Sequence, residues 1–143
     1  MLAGCSETKP KLGIIDSHLI KCPKTPNCVS SHANDEKHFI QPIVFIGTSQ
    51  QAQSHLLEIL IAWKGTKIVV SQDHYIHAEF TSKVFGFVDD VEFYFPATGT
   101  EKITIHSRSA SRIGKSDFGV NRKRIERIRN DLAKIIAQNS AAG

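Results

Sequence analysis

Apolar and polar residues alternate in two stretches of this chain, His74–Ser82 and Phe87–Phe95. In the first, Ile76, Ala78 and Phe80 fall on one side and Tyr75, His77 and Glu79 on the other. In the second, Val91, Phe93 and Phe95 oppose Asp90, Glu92 and Tyr94. A period of two is the signature of a strand with one face on a core. Ile43–Ile46, Lys67–Ser71 and Glu101–Ser109 read as three further strands, the last returning after the turn residues Pro-Ala-Thr-Gly-Thr.

Two segments change the period to that of a helix. Thr48 and Gln51 form a capping-box pair ahead of a stripe made by Ala52, Leu56, Ile59, Leu60 and Trp63, and Gly65 is its expected stop. Ile125, Ile128, Leu132, Ile135 and Ile136 make a second stripe, with Asn121 as expected N-cap and Val120 and Ile125 as a hydrophobic staple. The order strand, helix, several antiparallel strands, helix predicts an α+β fold: a curved antiparallel sheet of about four to five strands with two helices packed on one face. The boundaries expected are a tether over 1–21, one domain over 22–138 and a frayed tail over 139–143. Residues 22–42, rich in Pro, Asn and Ser, read as an ordered loop.

Length and composition agree with a single globular domain: 143 residues, 41% hydrophobic and 22% charged. No apolar run is long enough to span a bilayer. Charge adds more. The net charge is +4, and the excess bases concentrate between Arg108 and Arg129. Five of them surround the expected start of the last helix, where the backbone dipole disfavours cations. If Phe87–Phe95 and Glu101–Ser109 form a hairpin, pairing Phe93 with Ile105 aligns the apolar faces and sets Asp90 opposite Arg108. A register shifted by two residues preserves the same faces. The expected ion network is therefore Asp89, Asp90, Glu92 and Arg108. Against the eight bases of Arg108–Arg129 stand five acids: Asp89, Asp90, Glu92, Asp117 and Glu126. The remainder suggests an anion or partner site at Arg108, Arg112, Asn121, Arg122 and Arg124, because guanidinium groups fork onto carboxylate or phosphate.

The N-terminal Leu-Ala-Gly-Cys resembles a bacterial lipobox, so Cys5 is the expected lipidation site and the box reads as the end of a longer leader. Ser6 in the following position points to the outer membrane. The protein is then expected in the bacterial cell envelope, attached to the membrane through its lipid. In that oxidising compartment Cys22 and Cys28 suit a disulfide. The alternative, a zinc set of Cys22, Cys28, His32 and His38, has poor ligand spacing.

Three blocks carry a family resemblance: CPKTPNCVSS, HAEFTSKVFGFVDDVEF and RSASRIGKSDFGVNRKRIERIR. Over roughly residues 20–135 the chain resembles the bacterial and plastid family known as domain of unknown function 1499. Its members are often small exported lipoproteins, and the resemblance implies no particular activity. The family pattern usually has an aromatic where this chain has Lys115, which makes the third block more basic here.

The leading functional expectation is a binding or structural module meeting an anionic ligand or an envelope protein. The alternatives are an acid/base enzyme using Asp90, Glu92 and Arg108, or a nucleic-acid-binding module if the chain is not exported. A triad of Ser107, His106 and Asp89 or Asp90 fails because strand neighbours point to opposite faces. No phosphate loop, dinucleotide fingerprint or metal-ligand run is present, so no cofactor is expected. Nucleic acid is disfavoured because the aromatics do not interleave with the arginines. Ser82–Phe87 (SKVFGF) reads either as a crossover packed on the core or as an exposed apolar turn entering a membrane.

Overall fold

The computed structural model describes residues 11–114 and 117–142. Ten elements follow one another: β1 (Ile14–Ile15), β2 (His18–Leu19), β3 (Cys28–Ser30), β4 (Ile43–Ile46), α1 (Ser49–Ala62), β5 (Thr66–Gln72), β6 (Tyr75–Thr81), β7 (Val88–Tyr94), β8 (Lys102–Ser111) and α2 (Val120–Ala142). The α+β class holds. The main sheet has six strands rather than four to five, in the order β3-β8-β7-β6-β5, with β4 also pairing with β8. A separate two-stranded hairpin joins β1 to β2.

Each long element begins and ends for a local reason. The Thr48 hydroxyl accepts from the Gln51 amide at 3.1 Å while the Gln51 side chain accepts from the Thr48 amide at 2.9 Å, closing the capping box. Gly65 lies at φ +83°, and a Cβ there would stand 2.6 Å from the Thr81 carbonyl oxygen. Only glycine lets the chain leave α1 that close to the end of β6. At α2 the expected cap is displaced. Asp117 receives the amides of Gly119 (2.8 Å) and Asn121 (3.2 Å) on its carboxylate, and its carbonyl accepts from Val120. Asn121 lies inside the first turn instead. The helix continues to Ala142, through the stretch expected to fray.

One sheet face carries the core. Ile76, Ala78 and Phe80 of β6, Val91 and Phe93 of β7, and Ile103 and Ile105 of β8 are buried against Ala52, Leu56 and Leu60 of α1 and Ile125, Ile128 and Leu132 of α2. Both helices therefore cover the same face.

The β7–β8 register is the one shifted by two: Glu92 pairs with Arg108, Asp90 with Ala110 and Phe93 with Ser107. On β8, Ile105 and Ile103 pair instead with Ile43 and Phe45 of β4. The stretch expected as a tether also takes on structure. Asp16 and Ser17 adopt φ +51° and +61°, the left-handed pair that closes a two-residue hairpin loop. Leu19 in that hairpin is buried.

Candidate functional site

The second face of the sheet carries the polar side of the alternation. It is a buried layer of ionisable groups. Tyr75, His77, Asp90, Glu92 and Arg108 are each at most 9% exposed. The cover comes from the N-terminal hairpin segment and the chain after β3. The Gly13 amide donates to Glu92 (3.0 Å) and the Lys21 carbonyl accepts from Arg108 (3.5 Å). The His32 ring stacks on His106 at 4.1 Å and tilts against His18 at 4.5 Å.

Two ionic groups occupy this layer. In the first, Arg112 forks onto Asp90 through Nε (2.8 Å) and Nη2 (2.9 Å), and Nη2 also reaches Glu79 at 2.7 Å. The His77 ring meets the same Asp90 carboxylate at 2.7 Å. Burial alone would raise the Asp90 carboxyl, but His77 and Arg112 outweigh it and hold it down at about 2. The same carboxylates keep the Arg112 guanidinium above its ordinary range. In the second group the Tyr75 hydroxyl donates to Glu92 at 2.6 Å, and Arg108 stands 3.7 Å from the other Glu92 oxygen. Burial and the neighbouring carboxylate push the Tyr75 hydroxyl up. Burial pushes Arg108 down.

A cleft of about 630 Å³ opens beside this layer, lined by residues that include His18, Lys21, Ser30, His32 and Asp35. Burial, then the neighbouring His106 and His18, lowers the His32 ring to about 4. It is therefore neutral at pH 7, and its Nδ1 accepts from the Leu19 amide at 3.1 Å.

The five residues read as one anion site are distributed over three places. Arg108 and Arg112 belong to the polar face. Arg124 and Asn121 lie on the helix side. Arg124 binds Asp89 (2.8 Å) and the Asn121 side chain (2.8 Å), and the Ser109 hydroxyl donates to Asn121 at 2.6 Å. Arg122 binds the carbonyls of Phe39 (2.8 Å) and Lys37 (3.0 Å). The four residues read as an ion network are all charge-paired, but Asp89 pairs across the helix face and the other three across the polar face. Asp90 and Glu92, read as an alternative acid/base pair, both hold internal partners.

Cys22 and Cys28 are bridged, with Cα atoms 5.7 Å apart, which removes both thiolates from the zinc set. Among the described residues no group of three or more His, Cys, Asp or Glu is arranged to hold a metal. Ser107 and His106 do point to opposite faces; His106 meets the Ser31 hydroxyl at 3.1 Å. Cys5 lies outside the described residues.

Tyr75, His77 and Glu79 were not singled out from sequence, although a signal existed. Two strands next to each other each placed ionisable residues on the same face, which is the arrangement a buried network needs.

Two further surfaces stand out. Along α2, Lys123, Arg127 and Lys134 are exposed and form no ion pair among the described residues; they border a groove of about 700 Å³. Arg127 lies 4.0 Å over the Trp63 ring. In the turn between β6 and β7, Val84, Phe85 and Phe87 are 81%, 72% and 45% exposed, and the two phenylalanine rings stack at 5.3 Å. Of the two readings of Ser82–Phe87, the structure has the exposed apolar turn.

No curated protein and no solved structure matches the chain. Residues 18–132, most of the chain, match the family described as protein of unknown function (DUF1499), and the chain belongs to that family.

Proposed function

We propose that this protein is a lipid-anchored module of the bacterial cell envelope that binds an anionic partner through the outer face of α2. The observation that carries the binding part is the division of labour among the bases. Arg108, Arg112, Arg122, Arg124 and Arg129 serve internal acids and carbonyls. Lys123, Arg127 and Lys134 are turned outward along one helix face, at spacings of four and seven residues. Glu126 between them is held by Arg129 at 2.6 Å. Asp131 also borders the groove, so the face is net positive rather than of one sign, and such a face attracts anions, increasingly so at low ionic strength.

The envelope part rests on the Leu-Ala-Gly-Cys box before Cys5 and on the Cys22–Cys28 bridge, which an oxidising compartment preserves. Outer-membrane sorting follows from Ser6.

Intact mass spectrometry on protein expressed from the full upstream reading frame tests the anchor. A diacyl or triacyl group on Cys5 in the membrane fraction is expected; unmodified protein in the soluble fraction overturns it. Heparin, a soluble polyanion, tests the binding face. The variant Lys123→Glu/Arg127→Glu/Lys134→Glu is expected to elute at clearly lower salt than the parent chain, and an unchanged elution removes α2 from the proposal.

A further inference from the structure

We infer that the anionic partner is a lipid bilayer, and that the β6–β7 turn is the part that enters it. This rests on the envelope reading above and names its partner. Val84, Phe85 and Phe87 stand out from the sheet with Lys83 immediately before them, also exposed. The turn is held in shape rather than loose. The Phe87 amide donates to the Ser82 hydroxyl at 3.0 Å, the Ser82 amide to the Phe87 carbonyl at 2.9 Å, and the Gly86 amide to the Ser82 carbonyl at 3.1 Å. Gly86 supplies the positive φ, +66°, that lets two rings flanking it stack.

The apolar surface continues beyond the turn. Asp89 pairs with Ser111, and the Arg112 amide donates to the Val88 carbonyl, so Ile113 (43% exposed) follows beside Phe87. The start of α2 lies at the same end of the sheet, because Arg124 binds Asp89 and sits over the Phe80 ring. That places Val120, 46% exposed, and Lys123 one turn further along the helix near the same end. A rigid apolar point with cations around it suits an anionic bilayer: the rings enter the acyl boundary and the ammonium groups stay with the headgroups. Scattered exposed apolar residues are ordinary; five gathered at one end of a sheet are not.

The proposed anchor permits this orientation. Gly13 is fixed at Glu92, and four residue-to-residue steps along β7 lead from Glu92 to Val88 at the foot of the turn, a rise of about 13 Å. The eight residues from Cys5 to Gly13 span up to roughly 27 Å when extended. A lipid on Cys5 therefore reaches a bilayer that the turn also touches.

The test uses the full chain without lipid and vesicles of equal parts phosphatidylglycerol and phosphatidylethanolamine. Phe85→Ser/Phe87→Ser is expected to bind these vesicles roughly 100-fold more weakly, while its elution from heparin stays that of the parent. Lys123→Glu/Arg127→Glu/Lys134→Glu is expected to weaken both. A second readout needs no loss of function: Val84→Trp is expected to shift its emission to the blue when vesicles are added, beyond any change of Trp63, which lies under Arg127, seen in the parent chain under the same conditions. Equal vesicle binding by the phenylalanine variant, or an unmoved emission at position 84, overturns the inference. A parent chain that binds heparin but not vesicles overturns it too and leaves the anionic-partner reading standing; binding to neither removes both. A parent chain that dimerises through the turn, becoming monomeric in the phenylalanine variant, reassigns the surface to self-association.

Discussion

The two faces of this sheet are buried to the same degree by opposite means. Phe93 and Glu92 are neighbours in β7, and each is 0% exposed. Phe93 joins Ile76, Ile105 and the helices in a layer where exclusion of apolar surface from water is sufficient, and many side-chain arrangements of the right volume would serve. Glu92 sits in a layer where burial is a cost, offset only by the Tyr75 hydroxyl, the Gly13 amide and the nearby Arg108. The lesson is about specificity. The helix-covered face is held by quantity, and the hairpin-covered face is held by particular partners.

That difference is open to direct attack. The largest effect belongs to the apolar face: Phe93→Ala should cost roughly 4 kcal/mol, the transfer of a ring plus the cavity it leaves. Chemical denaturation with an unchanged slope would read this as pure stability loss. On the polar face Asp90→Asn should cost less, roughly 3 kcal/mol, by leaving Arg112 buried with only part of its charge answered. The two faces then separate in a second step. Replacing both, as Asp90→Leu/Arg112→Leu, should recover only part of the single-site loss, because apolar packing substitutes for the pair while His77 and Glu79 lose these partners. No second truncation restores Phe93→Ala. A double substitution less stable than Asp90→Asn alone would show that Arg112 contributes independently of Asp90.

Much of this was legible in the sequence, and the failures share one cause. The capping box at Thr48, the α1 stripe and five of the strands follow from periods within single segments. The polar face did not follow, because alternation says which residues share a face and not what lies over it. Its cover comes from Ile14–Leu19, two strands of two residues each, too short to show any period. The one local trace was Asp16 between apolar pairs, a residue that tolerates the left-handed loop conformation. The cations crowding the start of α2 had a similar answer. Asp117 caps the helix and Asp89 reaches across from β7, a contact that only the tertiary fold brings about. Arg108, Arg112, Asn121, Arg122 and Arg124 were close in sequence and divided in space, because strand alternation and the turn of the helix send neighbours in different directions.

Acid provides the finest separation of the two faces, because Asp90 and His32, whose protonation the fold shifts most clearly downward, both lie on the hairpin-covered side. Asp90 has its carboxyl held from 3.8 down to about 2 by His77 and Arg112 against the opposing pull of burial. The unfolded chain takes up that proton first as the pH drops. The contribution of Asp90, about 2 kcal/mol, is thus fully present above pH 4 and is lost between 3.8 and 2. His32 acts in an earlier window. Its ring, lowered from 6.5 to about 4 by burial and by the neighbouring His106 and His18, stays neutral in the fold while the unfolded chain is already protonated. Stability should therefore decline from pH 6.5 to 4 on account of the histidine stack beneath the hairpin, and decline again below 4 on account of the β7 carboxylate. Equilibrium unfolding from pH 7 to pH 2 would show both declines in the parent chain. His32→Phe should shrink the first, leaving what the half-buried His106 ring contributes, and keep the second; Asp90→Asn should keep the first and remove the second. Phe93→Ala should lower the whole curve without altering its shape, since Asp90 and His32, which set that shape, lie on the other side of the sheet. A change of shape in Phe93→Ala would mean that the two layers, one residue apart in β7, are coupled through the sheet.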